Sequence, residues 1–517
     1  MQMPVQLNRT LFQGGFTLPG SVRCGPLGRF PEKVLQFGEG NFLRAFFDWM
    51  VDETNERGMF GGHVVVAQPI RTGSADRINE QEGLYTLIAR GVEEGKVVET
   101  RRVIASISRA INPYEEWDKM TALARSPELR FVVSNTTEAG IVYVEESYVR
   151  GCCPASFPAK VTALLFERFQ ALNEVGPGAD RAPSGGLVFL QCELIERNGD
   201  KLKEYVHEHA KAWKLGEGFG DWLQSANYFL NTLVDRIVPG YPRAEAASLA
   251  AELGYEDQLV DSAEIFHLWV IEGPGHLADE LPFHRAGLNV IWTDDMSPYR
   301  TRKVRILNGA HTASVLAAYL GGINTVREMM ADGLFKRFVR QAVFDEIIPA
   351  LAMKESEARQ YANAVLERFQ NPFIKHELLS ISLNSVSKWK VRVLPSLLDY
   401  LSKTGKIPAA LAFSLAALIR FYEGRASGAG LTGEREGEAY PIRDDADVLD
   451  FFQSCSRAFE INADAAEMAR TILGNESLWG MDLTSLPGLA GAVTRCLQTI
   501  HGAGMRKAVE SILDTRE

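Results

Sequence analysis

The chain has 517 residues, with 66 acidic side chains against 55 lysines and arginines and a formal charge of −11. A hydrophobic share of 46% and a charged share of 23% are those of an ordinary folded protein and exclude a disordered, collagenous or fibrous chain. The acidic balance, without a Lys/Arg block, argues against nucleic acid as a partner, and no stretch reaches the ~18 apolar residues of a membrane span or the h-region of a secretion signal.

In chain order, the first third alternates short apolar runs with helical patterns. The runs are Lys33 to Phe37, His63 to Ala67, Arg102 to Ile104, Phe131 to Ser134 and Leu187 to Leu190. Such runs between helical segments are the pattern of a parallel sheet buried on both faces and built from βαβ units. The expectation is a Rossmann-type α/β domain over residues 30–296. The stretch 175–186, rich in Pro and Gly, reads as a loop within it. The six cysteines, Cys24, Cys152, Cys153, Cys192, Cys455 and Cys496, form no CxxC pair, which points to reduced thiols in a cytoplasm and to no zinc site.

The strand ending at Phe37 runs into Gly38-Glu39-Gly40-Asn41-Phe42 and then a helical pattern through Met50. Glycines between strand and helix let backbone N–H groups and the positive helix end approach a pyrophosphate, so Phe37 to Phe42 are candidate cofactor residues. A third glycine would be wanted at Leu43, and a plain strand-to-helix turn is the alternative. After the second strand the chain reads Gln68-Pro69-Ile70-Arg71, without the carboxylate that would bind a ribose 2′-OH, which leaves NAD against NADP open. The fourth strand leads into Asn135-Thr136-Thr137, small polar groups where a nicotinamide would lie in such a fold, and a simple turn is the alternative.

Near Ser297-Pro298 the pattern changes, with Ser as N-cap and Pro in the first turn of a helix. From there to residue 517 the expectation is a mostly α-helical domain, with helices over 325–351, 356–369, 374–398 (interrupted near Pro395) and 408–422, and a flexible loop from Gly424 to Glu438. At its start Lys303, Asn308 and His311 fall at about 0°, 140° and 80° around an α-helix. Together they could serve one carbonyl: a lysine exchanges a proton with an alcohol or ketone, and an amide and an imidazole donate to the developing alkoxide. The bland alternative is a solvated basic face, a turn at Asn308-Gly309 and a core histidine.

The string Gly38-Glu39-Gly40-Asn41-Phe42-Leu43-Arg44-Ala45 and the string Lys303-Val304-Arg305-Ile306-Leu307-Asn308-Gly309-Ala310-His311, in this order, resemble the long-chain polyol dehydrogenases typified by mannitol 2-dehydrogenase. The resemblance spans almost the whole chain. It implies a Rossmann-type domain followed by a helical one, NAD as cofactor, no catalytic metal, Lys303 as general acid/base, and Asn308 and His311 polarising the carbonyl. It also implies substrate contacts at Asn198, Asp235 and Lys388.

The polyol branch carries histidines where Leu43 and Phe46 stand, and an acidic relay residue where Arg300 stands, so the proton-relay route is left open. Arg300 with Lys375, His376, Lys388 and Arg392 would suit a substrate carboxylate, although a solvated helix face is the alternative. The resemblance thus implies reversible reduction by NADH of a keto sugar acid, tagaturonate to altronate. Fructuronate or a neutral ketose are the alternative substrates, and a non-catalytic dinucleotide-binding redox sensor is the rival of another class. The oligomeric state is open, and a monomer is compatible.

Overall fold

The computed structural model describes residues 5–93, 95–136, 139–174, 185–427 and 430–514. They fall into two compact units, one made of residues up to 91 and 97–296, the other of the described residues of 92–96 and those from 297 on.

The first unit is built on strands β1 (Glu32–Phe37), β2 (His63–Ala67), β3 (Ile107–Ile111), β4 (Phe131–Ser134), β5 (Val188–Gln191), β6 (Tyr228–Asp235), β7 (Leu268–Glu272) and β8 (Val290–Thr293). They form one eight-stranded sheet in the order β8-β7-β6-β5-β4-β1-β2-β3. Every neighbouring pair is parallel except β6 with β7. Six of these strands therefore have the 3-2-1-4-5-6 order of a dinucleotide-binding fold, with the switch of direction at β1.

The runs read as strands are apolar throughout because both faces are covered. Val34, Val64, Val66, Phe131, Val133, Val188 and Leu190 enter one core, together with Phe46, Phe47 and Met50. Leu35, Phe37, Val65, Ala67, Val132 and Phe189 enter the opposite one, against Leu164, Leu202 and Phe219. Successive side chains on a strand point to opposite faces, so a sheet packed on both sides needs an unbroken apolar run.

Two expectations change here. Arg102 to Ile104 is not part of this sheet but ends the strand Lys96–Ile104 of a separate four-stranded sheet with Tyr85–Glu93, Asp261–Glu264 and Val22–Cys24. The main-sheet strand is β3, which follows after only Ala105-Ser106, so one apolar run contains the ends of two strands. The unit also begins before residue 30: Val22–Cys24 pairs with Arg101–Val103, and Leu7 and Val22 share a core with Val103 and Tyr255. Of the expected loop 175–186, residues 175–184 lie outside the described residues.

The second unit is mostly helical. The stretch expected at 325–351 opens on the capping box of Thr325 and is divided at Asp332, whose carboxylate caps Gly333–Arg340. The 374–398 stretch becomes three helices, Leu378–Ile381, Ser385–Arg392 and Leu394–Thr404, with Pro395 in the first turn of the last. Gly424 to Glu438 is no loop: Gly424–Ser427, Gly430–Arg435 and Glu438–Ile442 make an antiparallel three-stranded meander. Its buried positions, Leu431, Tyr440 and Ile442, are separated by glycines that hide the alternation, and Gly433 is the bed on which the Tyr440 ring lies. No described helix is long and apolar enough to cross a membrane.

Candidate active site

In the first unit the carboxyl ends of β1, β4, β5 and β6 lie along one edge. Helix α1, residues 41–56, starts there from Gly40, which is extended and supplies no side-chain cap. The first-turn N–H groups of α1 are thus left for a ligand, and a Cβ on Gly40 would meet only open space. Gly38 has φ +124°, a conformation for glycine, and a Cβ there would lie 3.2 Å from the Asn135 carbonyl oxygen and from the Leu43 side chain. Both glycines fit a pyrophosphate cradle.

The loop is held from below. Gln36 Nε2 donates to the Gly38 carbonyl at 3.0 Å and to Asp48 Oδ2 at 3.2 Å. Asp48 lies in a π turn, Arg44–Asp48, that is buried throughout. Burial pushes its carboxyl up to about 7. Arg44 donates to Asn41 Oδ1 and to the Leu259 carbonyl, each at 2.5 Å, which fixes Asn41 at the helix start. Phe37 packs edge-on to Phe157, and Phe42 stacks on Phe46.

At the end of β4, Asn135 N–H donates to the Phe37 carbonyl at 3.0 Å, which ties it to the glycine loop. Thr136 is held by Glu193, whose carboxylate accepts from Thr136 N–H at 2.9 Å and from the hydroxyls of Thr136 and Ser134 at 3.0 Å. Glu193 is almost fully buried, and burial raises its carboxyl above the usual range. No motif pointed to it. Thr137 lies outside the described residues.

Asn198 is held by backbone. At the start of helix α2 (Asn198–Ala212) it is 1% exposed. Its Nδ2 donates to the carbonyls of Gln191, Glu193 and Thr232, and its Oδ1 accepts from the N–H groups of Thr232 and Gly199. Every hydrogen-bonding position of the amide is engaged by backbone, so it clamps β5, β6 and α2 together. Asp235 ends β6 on the carboxyl edge and is 6% exposed. Its neighbour Arg236 donates to the carbonyls of Ala45 and Glu264 and lies over the Trp49 ring.

In the second unit, helix α3 covers residues 297–320, with a π turn at Lys303–Asn308 between α-helical Ser297–Arg302 and Gly309–Leu320. The π turn changes the geometry read from a regular helix. An α-helix carries His311 about 80° past Lys303. A π turn takes up about one residue more, which returns His311 to within about 20° of Lys303, two turns along. Lys303 and Asn308 open and close the π turn itself and so fall about one turn apart. The three side chains therefore share one stripe. Arg305, on another side, is buried and anchored to Ser396 Oγ at 2.5 Å and to Asp399 at 2.7 Å, so it is not a solvated face.

The His311 ring stacks on Phe369 at 4.1 Å and meets His376 edge-on at 5.4 Å. Its Nε2 is buried and has no hydrogen-bond partner among the described residues. Burial, with His376, Arg368 and Arg392 nearby, holds it well below the usual imidazole range, so the ring is neutral. Helix α4 (Ser385–Arg392) comes close: a Cβ on Gly309 would lie 3.3 Å from the Arg392 carbonyl oxygen. Lys388 Nζ donates to the Ile381 carbonyl at 2.9 Å, and burial together with Arg392 lowers its pKa. The Arg392 guanidinium is half-buried, its pKa lowered by burial, and among the described residues it makes no hydrogen bond or ion pair. Lys375, in contrast, is exposed and paired with Glu377 at 2.8 Å.

The sequence matches the Mannitol dehydrogenase Rossmann domain over residues 32–285 and the Mannitol dehydrogenase C-terminal domain over residues 295–501. It is 47% identical over 481 residues to an altronate oxidoreductase of Yersinia enterocolitica, covering 93% of this chain and 96% of that one. A Pectobacterium carotovorum altronate oxidoreductase is 47% identical over 487 residues, covering 94% and 98%. Among solved structures, Pseudomonas fluorescens mannitol 2-dehydrogenase, a ternary complex with NAD and D-mannitol, superposes with a TM-score of 0.67 at 22% identity over 99% of this chain and 100% of that one. Substrate-free D-sorbitol dehydrogenase gives 0.75 at 21% over 98% and 100%. With both of its halves matched and relatives this similar over nearly its whole length, the chain belongs to the mannitol dehydrogenase family.

Proposed function

We propose that this protein is an NAD-dependent oxidoreductase that interconverts tagaturonate and altronate. The observation that carries the choice of a sugar acid is Arg392. A half-buried guanidinium without an anion is costly, and a substrate carboxylate would satisfy it with charge-assisted hydrogen bonds. Lys388, whose pKa Arg392 helps to lower, adds a second cation on the same helix. The near full-length likeness to altronate oxidoreductases supports the same substrate.

Bound NAD supplies the hydride chemistry. The chain's own groups manage the oxygen. In reduction, Lys303 gives its proton to the carbonyl oxygen while Asn308 and the neutral His311, protonated at Nε2, donate hydrogen bonds to the negative charge that develops there. A histidine that stays neutral remains a donor across the physiological range without competing for the proton. Gly38, Gly40 and the first turn of α1 would hold the pyrophosphate of NAD, and Asn135 and Thr136, the latter braced by Glu193, would stand beside its nicotinamide. The six free thiols suit a cytoplasmic setting.

The test is the initial rate of NADH oxidation with tagaturonate, fructuronate and fructose at matched concentrations. Preference for tagaturonate is expected. Faster turnover of fructose would refute the carboxylate reading, and no turnover with any of them would refute the enzyme.

A further inference from the structure

In a dinucleotide-binding fold the adenosine ribose is ordinarily held by a carboxylate at the end of the second strand, which accepts from both hydroxyls and repels a 2′-phosphate. Here β2 ends at Ala67, and the next four residues, Gln68-Pro69-Ile70-Arg71, contain no acid. Gln68 is buried, and its Nε2 donates to the carbonyls of Ile70 and Arg71, both at 3.0 Å, which fixes the direction of its Oε1.

A carboxylate nonetheless reaches this turn from another element. A Cβ placed on Gly73 would lie 2.4 Å from Glu39 Oε1 and 2.7 Å from Gln68 Oε1. Two acceptor oxygens thus converge beside Gly73, one from the glycine loop and one from the end of β2, in the space that glycine leaves. Glu39 accepts from the Ser74 N–H, and no side-chain donor pairs with it among the described residues. A vicinal diol offers two donors, the complement of two converging acceptors.

We infer that Glu39, with Gln68 Oε1 beside it, holds the ribose diol of the cofactor and makes this chain choose NAD over NADP. The inference rests on the dinucleotide reading above. The acid that the second strand lacks is supplied by the middle residue of Gly38-Glu39-Gly40. Arg71, exposed and lying over the Tyr114 ring at 4.8 Å, would otherwise favour a 2′-phosphate, and Glu39 overrides it.

Equilibrium binding of NADH and NADPH to the full chain, read by quenching of tryptophan fluorescence, tests this without turnover. Wild type should bind NADH more tightly. Glu39→Gln should weaken NADH by roughly tenfold, the loss of one charge-assisted hydrogen bond, while strengthening NADPH. Gly73→Ala, which puts a methyl group where the two oxygens converge, should shift the ratio the same way and keeps the test alive if Glu39→Gln does not fold. An unchanged NADH to NADPH ratio in the folded variants would overturn the assignment of Glu39. Failure of wild type to bind either dinucleotide would overturn the functional reading as well.

Discussion

Replacing Arg392 by Gln tests the substrate assignment through a difference between two substrates. Its main-chain carbonyl, which lies against Gly309, is unaffected by the change, and its guanidinium has no partner in the described fold to lose. Stability should therefore not fall, and relief of the unpaired charge should raise it slightly. Hydrogen bonds to a charged group contribute about 1.5–3 kcal/mol, so kcat/KM for tagaturonate should fall by roughly 10- to 150-fold. Lys388 remains and keeps the fall within that range. For fructose, which has no carboxylate, the guanidinium stays unpaired in wild type, and the variant should be as active or slightly more so. Initial rates of NADH oxidation over a range of each substrate give both constants. An equal fall for the two substrates would mean that Arg392 shapes the fold, and no fall for tagaturonate would mean that its carboxylate is held elsewhere.

Lys303→Ala should lower turnover by orders of magnitude while the fluorescence-measured affinity for NADH stays within about twofold; an active variant would remove Lys303 from the chemistry. Asp48→Asn addresses the buried acid under the glycine loop. Its folded pKa, about 7, lies above the unfolded value, so the protonated form stabilises the fold at low pH and that contribution is lost as pH rises through about 7. The variant should unfold like wild type near pH 4 and be more stable than wild type near pH 8, by roughly 4 kcal/mol at most, and thermal melts with a constant difference across this range would contradict it. Glu346 is fully buried and accepts from the N–H groups of Ala410 and Leu411, both at 2.9 Å, and from Gln341 Nε2 at 3.2 Å. It caps helix α5 (Ala409–Tyr422), in which every residue but Ala409 and Arg420 is buried. Glu346→Ala should cost about 3–5 kcal/mol in chemical denaturation, because the N–H groups are left without water or protein partner.

Most of the parallel sheet was legible because a strand covered on both faces must be an unbroken apolar run, and Val34-Leu35, Val64-Val65-Val66 and Phe131-Val132-Val133 are such runs. The β2-to-β3 region was misread for the same reason, since Val103 to Ile107 is one apolar run that serves two sheets. The meander was hidden by the glycines that make room for Tyr440. Of the candidate site, the glycine loop and the Lys303, Asn308, His311 set could be named from local strings. Glu193 could not, because its meaning lies in Ser134 and Thr136 on a neighbouring strand. The backbone bonds of Asn198 were hidden on the same ground: a buried amide that bridges three backbone segments has the same local sequence as one that faces a ligand.

The π turn in α3 holds one residue more than the alignment of Lys303, Asn308 and His311 requires. Removing one residue between Lys303 and Asn308 would restore a regular helix and still leave His311, then seven residues on, within about 20° of Lys303. Substitutions at Val304, Ile306 or Leu307 leave this phase intact. The spacing is fixed where the helix is regular: a residue lost between Asn308 and His311 would turn His311 by about 100° away from Lys303, whereas the π turn holds the single residue that the stripe can spare.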